Sequence, residues 1–359
     1  MSADLSELSS EHVRVHVRNG LGRLTLDRPR ALNALDLDMV QALDGALQAW
    51  ENAHDVDIVL IDSASERGLC AGGDVRGLRE QIVGGHPENA GLFFRAEYAL
   101  NLRIAEYPKP VVVFADGITM GGGIGVAGHA AVRVVTPRSQ LAMPETRIGL
   151  TPDVGGSWLL ARAPGRLGEY LALTGATMDA ADAIAAGFAD YLLPVANLSA
   201  LHEALETRAD PANPTELAML FDDTPDPSAL DARRVWIDEA FSAETVPDII
   251  KRLLDSSEPE ASETAHLLTT LSPTSLSVTL EAVRRARELP HLRFALEQEY
   301  ALVSWFVATQ PDISEGIRAQ LVDKDRAPRW DPPTLADVSA DTVAEAFAFV
   351  PDIALWPSQ

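Results

Sequence analysis

A single cysteine, Cys70, stands among 359 residues, so no intrachain disulfide can form. That usage fits a reducing compartment. Cations are also scarce: 29 Lys and Arg against 53 Asp and Glu leave a net charge of −24. Binding a phosphate backbone or an anionic bilayer needs a basic face, so neither nucleic acid nor a membrane is expected as a partner. A small anionic ligand is compatible with this charge only where a local basic patch works against the global field. Long hydrophobic runs are missing. The most apolar stretch, Val111 to Val135, is interrupted by Asp116, His129, Arg133 and several glycines, which excludes a membrane span. The first residues carry acids where a signal peptide would carry a basic region and an apolar run, so no signal peptide is expected and the cytoplasm is the expected location. No Cys/His cluster is visible, and no metal site is expected.

What is present is ample for a buried core: 47% of the residues are hydrophobic, and the length suggests one domain plus a second lobe. Residues Val13–Arg18 and Leu21–Leu26 alternate apolar and polar around Asn19-Gly20, a hairpin signal. Asp36 is placed to cap a helix through Met39, Val40, Leu43, Leu47 and Trp50. Val56–Ile61, Val111–Ala115 and Val132–Val135 read as buried strands. A glycine-bearing loop over Gly68–Gly73 follows the first and leads to a helix with Arg76 and Leu78. Phe93–Ala105 reads as an amphipathic helix. Gly121–Gly123 follows the second strand and opens a helix of small residues. The repeating order of strand, glycine turn and helix predicts an α/β arrangement. From about Leu198 strand signals thin out, and helical patterns such as Val246–Leu254 and Ser275–Glu288 take over. Two parts are therefore expected, an α/β core over residues 12–200 and a mainly helical lobe over 201–359.

Three segments contain residues suited to chemistry. In Cys70-Ala71-Gly72-Gly73-Asp74 the glycines permit close approach of a ligand to backbone N–H groups; a tight turn capped by Asp74 explains the same residues. Gly117-Ile118-Thr119-Met120-Gly121-Gly122-Gly123 leads into a helix whose first N–H groups suit a developing oxyanion, or simply allow close packing. Gly123 to Gly128 also satisfies G-x-G-x-x-G, with Glu145 at a plausible distance for a ribose. Against dinucleotide binding, that pattern begins well past the strand end and about 110 residues into the chain. In Met143-Pro144-Glu145 and Gly149 to Gly156, two carboxylates, Glu145 and Asp153, stand in a loop by composition. They could converge as a base and its partner, or each cap a helix. Ser157 lacks the glycine that would follow in a nucleophile elbow. Cys70 has no histidine near it in sequence and reads as a small buried residue.

Taken in order with Leu26-Asp27-Arg28-Pro29-Arg30-Ala31-Leu32-Asn33-Ala34-Leu35, these segments resemble the crotonase (enoyl-CoA hydratase/isomerase) superfamily. Within it, Gly117 to Gly123, Ala142 to Thr146 and Pro152 to Gly156 are similar to the hydroxyisobutyryl-CoA hydrolase branch. So are Phe93 to Tyr98, Ser272-Pro273-Thr274-Ser275-Leu276 and Val322 to Trp330. The similarity runs from about residue 12 to 330. It implies an α/β fold, a crotonase-like spiral of repeated ββα units carrying a mainly helical C-terminal lobe. It implies that the N–H groups of Gly73 and Gly122 polarise a thioester carbonyl, that Glu145 pairs with Asp153, and that Glu97 and Gly122 contact the acyl group. Coenzyme A contacts would fall at Arg28, Arg30 and the carbonyls of Cys70 and Ala71.

One departure bears on the reaction. Hydratases of this superfamily carry a second glutamate just after the triple glycine, where this chain has Gly125. Hydration needs an acid and a base flanking the β-carbon, so it is disfavoured. The implied activity is hydrolysis of an acyl-CoA, 3-hydroxyisobutyryl-CoA by resemblance, with valine breakdown as the implied pathway. Coenzyme A is then part of the substrate, and no separate cofactor is expected. An enoyl-CoA isomerase, which needs only one carboxylate, is the alternative; an acyl-CoA-binding protein without turnover is the alternative of another class. The resemblance also implies a homo-oligomer, a trimer or a hexamer.

Overall fold

Asn19 and Gly20 both take positive φ, 50° and 81°. This is the backbone that lets a two-residue turn match the twist of the strands it joins. β1 (Val13–Arg18) and β2 (Gly20–Leu26) accordingly pair antiparallel, from Val13 opposite Leu26 to Arg18 opposite Leu21. In the computed structural model, residues 10–207 and 213–356 are described. They fall into two compact units. The first is built from the chain up to Gly73, Ala96–Leu141 and Met178–Ser228; the second from Asp74–Arg95, Ala142–Thr177 and the chain from Ala229 onward. The N-terminal segment read as lacking a signal peptide lies outside the described residues as far as residue 9.

The first unit holds both sheets. The larger has the order β1-β2-β3-β5-β7-β9, with β3 Val56–Ser63, β5 Val111–Phe114, β7 Val132–Val135 and β9 Tyr191–Leu192. All its pairings after the hairpin are parallel. The smaller is β4-β6-β8, with β4 Gly68–Cys70, β6 Ile118–Met120 and β8 Gln140–Ala142. Each turn of the chain lays one strand on the large sheet beside its predecessor, crosses to lay one on the small sheet, and then enters a helix or helical turn. α1 (Leu37–Trp50) precedes the first of these turns. α2 (Val75–Val83) and α3 (Pro87–Ala105) follow β4, α4 (Gly122–Ala127) follows β6, and a 3-10 turn, Glu145–Ile148, follows β8. This is the spiral of ββα units. The three strands of the small sheet are three residues each; β4 falls where the sequence pattern predicts a loop, Gly68–Gly73, and β6 within the glycine turn Gly117–Gly123.

Parallel strands covered on both faces are uniformly apolar, as Val111–Phe114 is. One face of the large sheet carries Ile58, Leu60, Val112, Phe114, Val132 and Val134 at a period of two. Leu201 and Leu205 of the helix Leu198–Thr207 join that core cluster. α1 starts where expected: the Asp36 side chain accepts from the Met39 N–H at 2.9 Å. It buries Met39, Val40, Leu43, Ala46, Leu47 and Trp50.

The second unit is helical. Its longest helices over the C-terminal part are Pro273–Ala286 and Leu292–Thr309. No strand follows β9 among the described residues. The change of character near residue 200 thus marks where strand-forming sequence ends. The two compact units are not consecutive along the chain: residues 74–95 and 142–177 belong to the helical unit, and residues 201–228 to the first. No helix among the described residues is long and apolar enough to cross a membrane.

Candidate active site

In the first unit the two glycine turns stand side by side. Gly72 takes φ 111° and Gly121 φ 48°, values open to glycine at little steric cost. A Cβ built on Gly72 would lie 3.7 Å from the Gly122 nitrogen, and one built on Gly122 would lie 3.2 Å from the Gly73 nitrogen. The turns that follow β4 and β6 therefore lie against each other. Gly122 is the first residue of α4, where N–H groups have no partner inside the helix. Neither the Gly73 nor the Gly122 N–H donates a hydrogen bond among the described residues. The side chain of Glu97, on α3 and 2% exposed, reaches the same place: its Oε1 is 2.5 Å from the Cβ position of Gly122. Gly73, Gly122 and Glu97 are thus brought together.

The segment from Arg28 to Leu35 braces these turns. The Leu35 N–H donates to the Gly72 carbonyl at 2.8 Å, and the Ala71 N–H to the Leu32 carbonyl at 3.0 Å. Asn33, fully buried, donates to Ser63 Oγ and the Leu69 carbonyl and accepts from the Arg28 N–H. Arg28 spends its guanidinium on this turn, at 2.8 Å from the Ala34 carbonyl and 3.7 Å from Asp36. Arg30 is exposed. The Cys70 carbonyl is pressed onto α4, 2.4 Å from the Cβ position of Gly123, while Ala71 is half-buried. The Cys70 thiol is buried, and that burial pushes it up to about 12, with the Gly72 backbone pulling weakly the other way. A thiol held so far from ionisation is no nucleophile at neutral pH.

In the second unit Glu145 and Asp153 are each 6% exposed. Glu145 opens the 3-10 turn and accepts the Leu150 N–H on its carbonyl. The chain between and around them is fastened at several points. Thr146 Oγ1 donates to the Leu173 carbonyl at 3.2 Å and Arg147 to the Thr174 carbonyl at 3.1 Å. From the helix Pro273–Ala286, Ser275 donates to the Leu150 carbonyl and Thr279 lies 3.1 Å from Thr151 Oγ1. These two hydroxyls are one helical turn apart and so share a face. Ser272 caps that helix and donates to Asp312, which in turn accepts the Asp331 N–H. Arg318 gathers Glu315, Asp323 and Asp325. The two C-terminal motifs, Ser272–Leu276 and Val322–Trp330, are therefore parts of the frame around the carboxylate-bearing segment.

Sequence reasoning missed Glu299. It is fully buried on the helix Leu292–Thr309 and accepts the Gly155 N–H at 2.6 Å, the Ser157 N–H at 2.8 Å and the Ser157 hydroxyl at 2.5 Å. Burial raises its carboxyl from the ordinary 4.5 to about 8; the hydrogen bonds from Ser157 and Gly155 oppose this and the charge of Asp153 adds to it. Nothing local in the sequence marks Glu299, since its partners lie 144 and 142 residues away.

A family model described as enoyl-CoA hydratase/isomerase matches residues 21–347. The chain is 38% identical to the mitochondrial 3-hydroxyisobutyryl-CoA hydrolase of Danio rerio over 91% of this chain and 87% of that protein. It is 35% identical to the human protein of that name, over 94% and 89%. Among solved structures, a carnitinyl-CoA dehydratase from Mycobacterium thermoresistibile superposes with a TM-score of 0.91 at 46% identity, covering 97% of this chain and 99% of that one. An enoyl-CoA hydratase from Rhodobacter sphaeroides gives 0.87 at 40% identity, covering 95% and 98%.

Proposed function

Because the chain belongs to the enoyl-CoA hydratase/isomerase family, we propose that it is an acyl-CoA thioester hydrolase that cleaves 3-hydroxyisobutyryl-CoA to 3-hydroxyisobutyrate and coenzyme A. The observation that supports hydrolysis over hydration is α4 itself. Every residue of that helix is buried and small or aliphatic, and Gly125 supplies no second carboxylate.

In the proposed reaction the thioester oxygen accepts from the Gly73 and Gly122 N–H groups, which strengthen as charge builds on it. Glu145 takes a proton from a water whose oxygen bonds to the carbonyl carbon; Asp153 orients Glu145 or the water. The C–S bond then breaks, and the electron pair leaves on sulfur as a thiolate, a good leaving group that needs no strong acid. In a second route Glu145 itself attacks and the resulting anhydride is hydrolysed. Single turnover in ¹⁸O water separates the two, since only the anhydride route leaves label in Glu145. Glu97 is the proposed second contact to the acyl group. Arg30 is the proposed cation for the coenzyme phosphates, with Arg28 holding the turn beneath it. Coenzyme A enters as substrate, and no other cofactor is invoked.

The names of the two solved relatives favour a second reading, hydration or dehydration of an acyl-CoA. Thiol release from 3-hydroxyisobutyryl-CoA, measured beside the ultraviolet absorbance of an enoyl-CoA, decides between them. Release of thiol that Glu145→Gln abolishes in a folded protein supports hydrolysis. Loss of the enoyl absorbance without thiol would replace it with hydration. A place in valine breakdown, a trimeric or hexameric assembly and a cytoplasmic location are proposed alongside, although several relatives are named as mitochondrial. Light scattering and cell fractionation test the last two.

A further inference from the structure

The turn that carries Asp153 is held by an unusual device. Val154 takes φ 53° and Gly155 φ 77°, two left-handed residues in succession. For a β-branched residue that backbone costs on the order of 1–3 kcal/mol and persists only where the surroundings enforce it. Gly155 is also the N-cap of the helix Gly156–Arg162 and, as a glycine, brings no side chain to cap it. In an ordinary capping box two local side chains satisfy the N–H groups at a helix start. Here one carboxylate from a helix far along the chain does both. Glu299 accepts from Gly155 with one oxygen and from Ser157, N–H and hydroxyl, with the other. The Asp153 carbonyl closes the same turn by accepting the Gly156 N–H at 2.6 Å. Ser157 and Glu299 are both fully buried, so the pair is not a reactive serine and its base.

We propose that Glu299 is a positioning residue for the reaction: by clamping Gly155 and Ser157 it fixes the left-handed Val154-Gly155 turn and thereby the place of the Asp153 carboxylate. This rests on the reading of Asp153 as part of the hydrolytic pair. Glu299 does not touch substrate and moves no proton in the reaction. Its substitution acts through Asp153 and leaves the acyl-CoA contacts of the first unit intact.

The test is a double-mutant cycle on the full-length protein with 3-hydroxyisobutyryl-CoA. Glu299→Gln keeps the shape but places an amide donor against the N–H groups. It should lower kcat by about 10²-fold, the scale of a small misplacement of a reacting group, with KM within about threefold. In the Asp153→Asn background the same change should cost no further rate, because the two act through one group. Ser157→Ala removes one donor and leaves Glu299 in place; it should show the same pattern at smaller size, and serves should Glu299→Gln fail to fold. Loss of rate that multiplies in full in the Asp153→Asn background, or a kcat within twofold of wild type for both variants, overturns the proposal. A readout independent of the reaction is the carboxyl ¹³C resonance of Asp153 in aspartate-labelled protein, assigned by its absence in Asp153→Asn. It should move in Glu299→Gln or Ser157→Ala; an unmoved resonance also overturns the proposal. If wild type releases no thiol, the hydrolase reading fails, and the resonance still decides on Glu299.

Discussion

Adding one methyl group at Gly122 probes the amide pair most directly. The new Cβ would lie 3.2 Å from the Gly73 nitrogen, close to where an accepting oxygen must sit, and 2.5 Å from Glu97 Oε1. The Gly122 N–H survives, but the Gly73 N–H loses access to the substrate carbonyl. Removal of one such donor costs about 2.7–4 kcal/mol of transition-state stabilisation, or about 10²–10³ in kcat. Replacing glycine by alanine inside a helix otherwise favours the fold by about 0.5–1 kcal/mol, so folding alone gives no reason for the rate to drop. The assay is steady-state thiol release from 3-hydroxyisobutyryl-CoA, run beside thermal unfolding of the same preparation. Glu97 must yield to the methyl, so Glu97→Ala is measured on its own to bound that effect. Gly122→Ala should cost more rate than Glu97→Ala, because the methyl also covers the Gly73 amide. A kcat for Gly122→Ala within threefold of wild type would refute the role of the amide pair. A loss no larger than that of Glu97→Ala would assign it to displacement of Glu97.

Two further outcomes concern stability. Gly149 takes φ 72°, and a Cβ there would meet the Asp312 carbonyl oxygen at 2.6 Å, a backbone atom that cannot swing away. Gly149→Ala should therefore destabilise by more than the roughly 1–2 kcal/mol of a left-handed residue, while Gly45→Ala, with nothing within 4 Å, should raise the unfolding midpoint; equal midpoints for the two would contradict the close approach. For Glu299, a carboxyl held near 8 in the fold and near 4.5 when unfolded binds more protons in the native state between those values. Its contribution is complete below the unfolded value and is lost as pH rises through the folded one. In denaturant titrations from pH 4.5 to 8, the stability difference between wild type and Glu299→Gln should fall as pH rises; a difference that does not change with pH would place the titration elsewhere.

Much of the fold is legible in the sequence where a local signal is strong. Asn19-Gly20 specifies the hairpin, Asp36 starts α1, and the apolar runs at Val56, Val111 and Val132 are the parallel strands. The strands of the small sheet escape because three residues are too few to show a period of two, and the glycines in and around β4 and β6 read as loop or turn. α3 begins at Pro87, six residues before the amphipathic pattern at Phe93; proline at a first helical position is the signal that was available. For the candidate site, the amides of Gly73 and Gly122 and the residues Glu97, Glu145 and Asp153 are marked by their motifs. The frame that holds them is not. Ser275, Thr279 and Glu299 look like the polar face of ordinary helices until the fold turns them inward onto groups more than a hundred residues away.

The buried state of Cys70 also has a practical side. With its proton held up to about 12, the native protein presents no thiol that an alkylating or disulfide-exchange dye can attack at neutral pH. Colour developed during turnover then counts liberated coenzyme alone, with no protein blank. Once the chain is unfolded, one equivalent of dye per molecule becomes reactive, so the same cuvette chemistry reports both catalytic output and loss of the native structure.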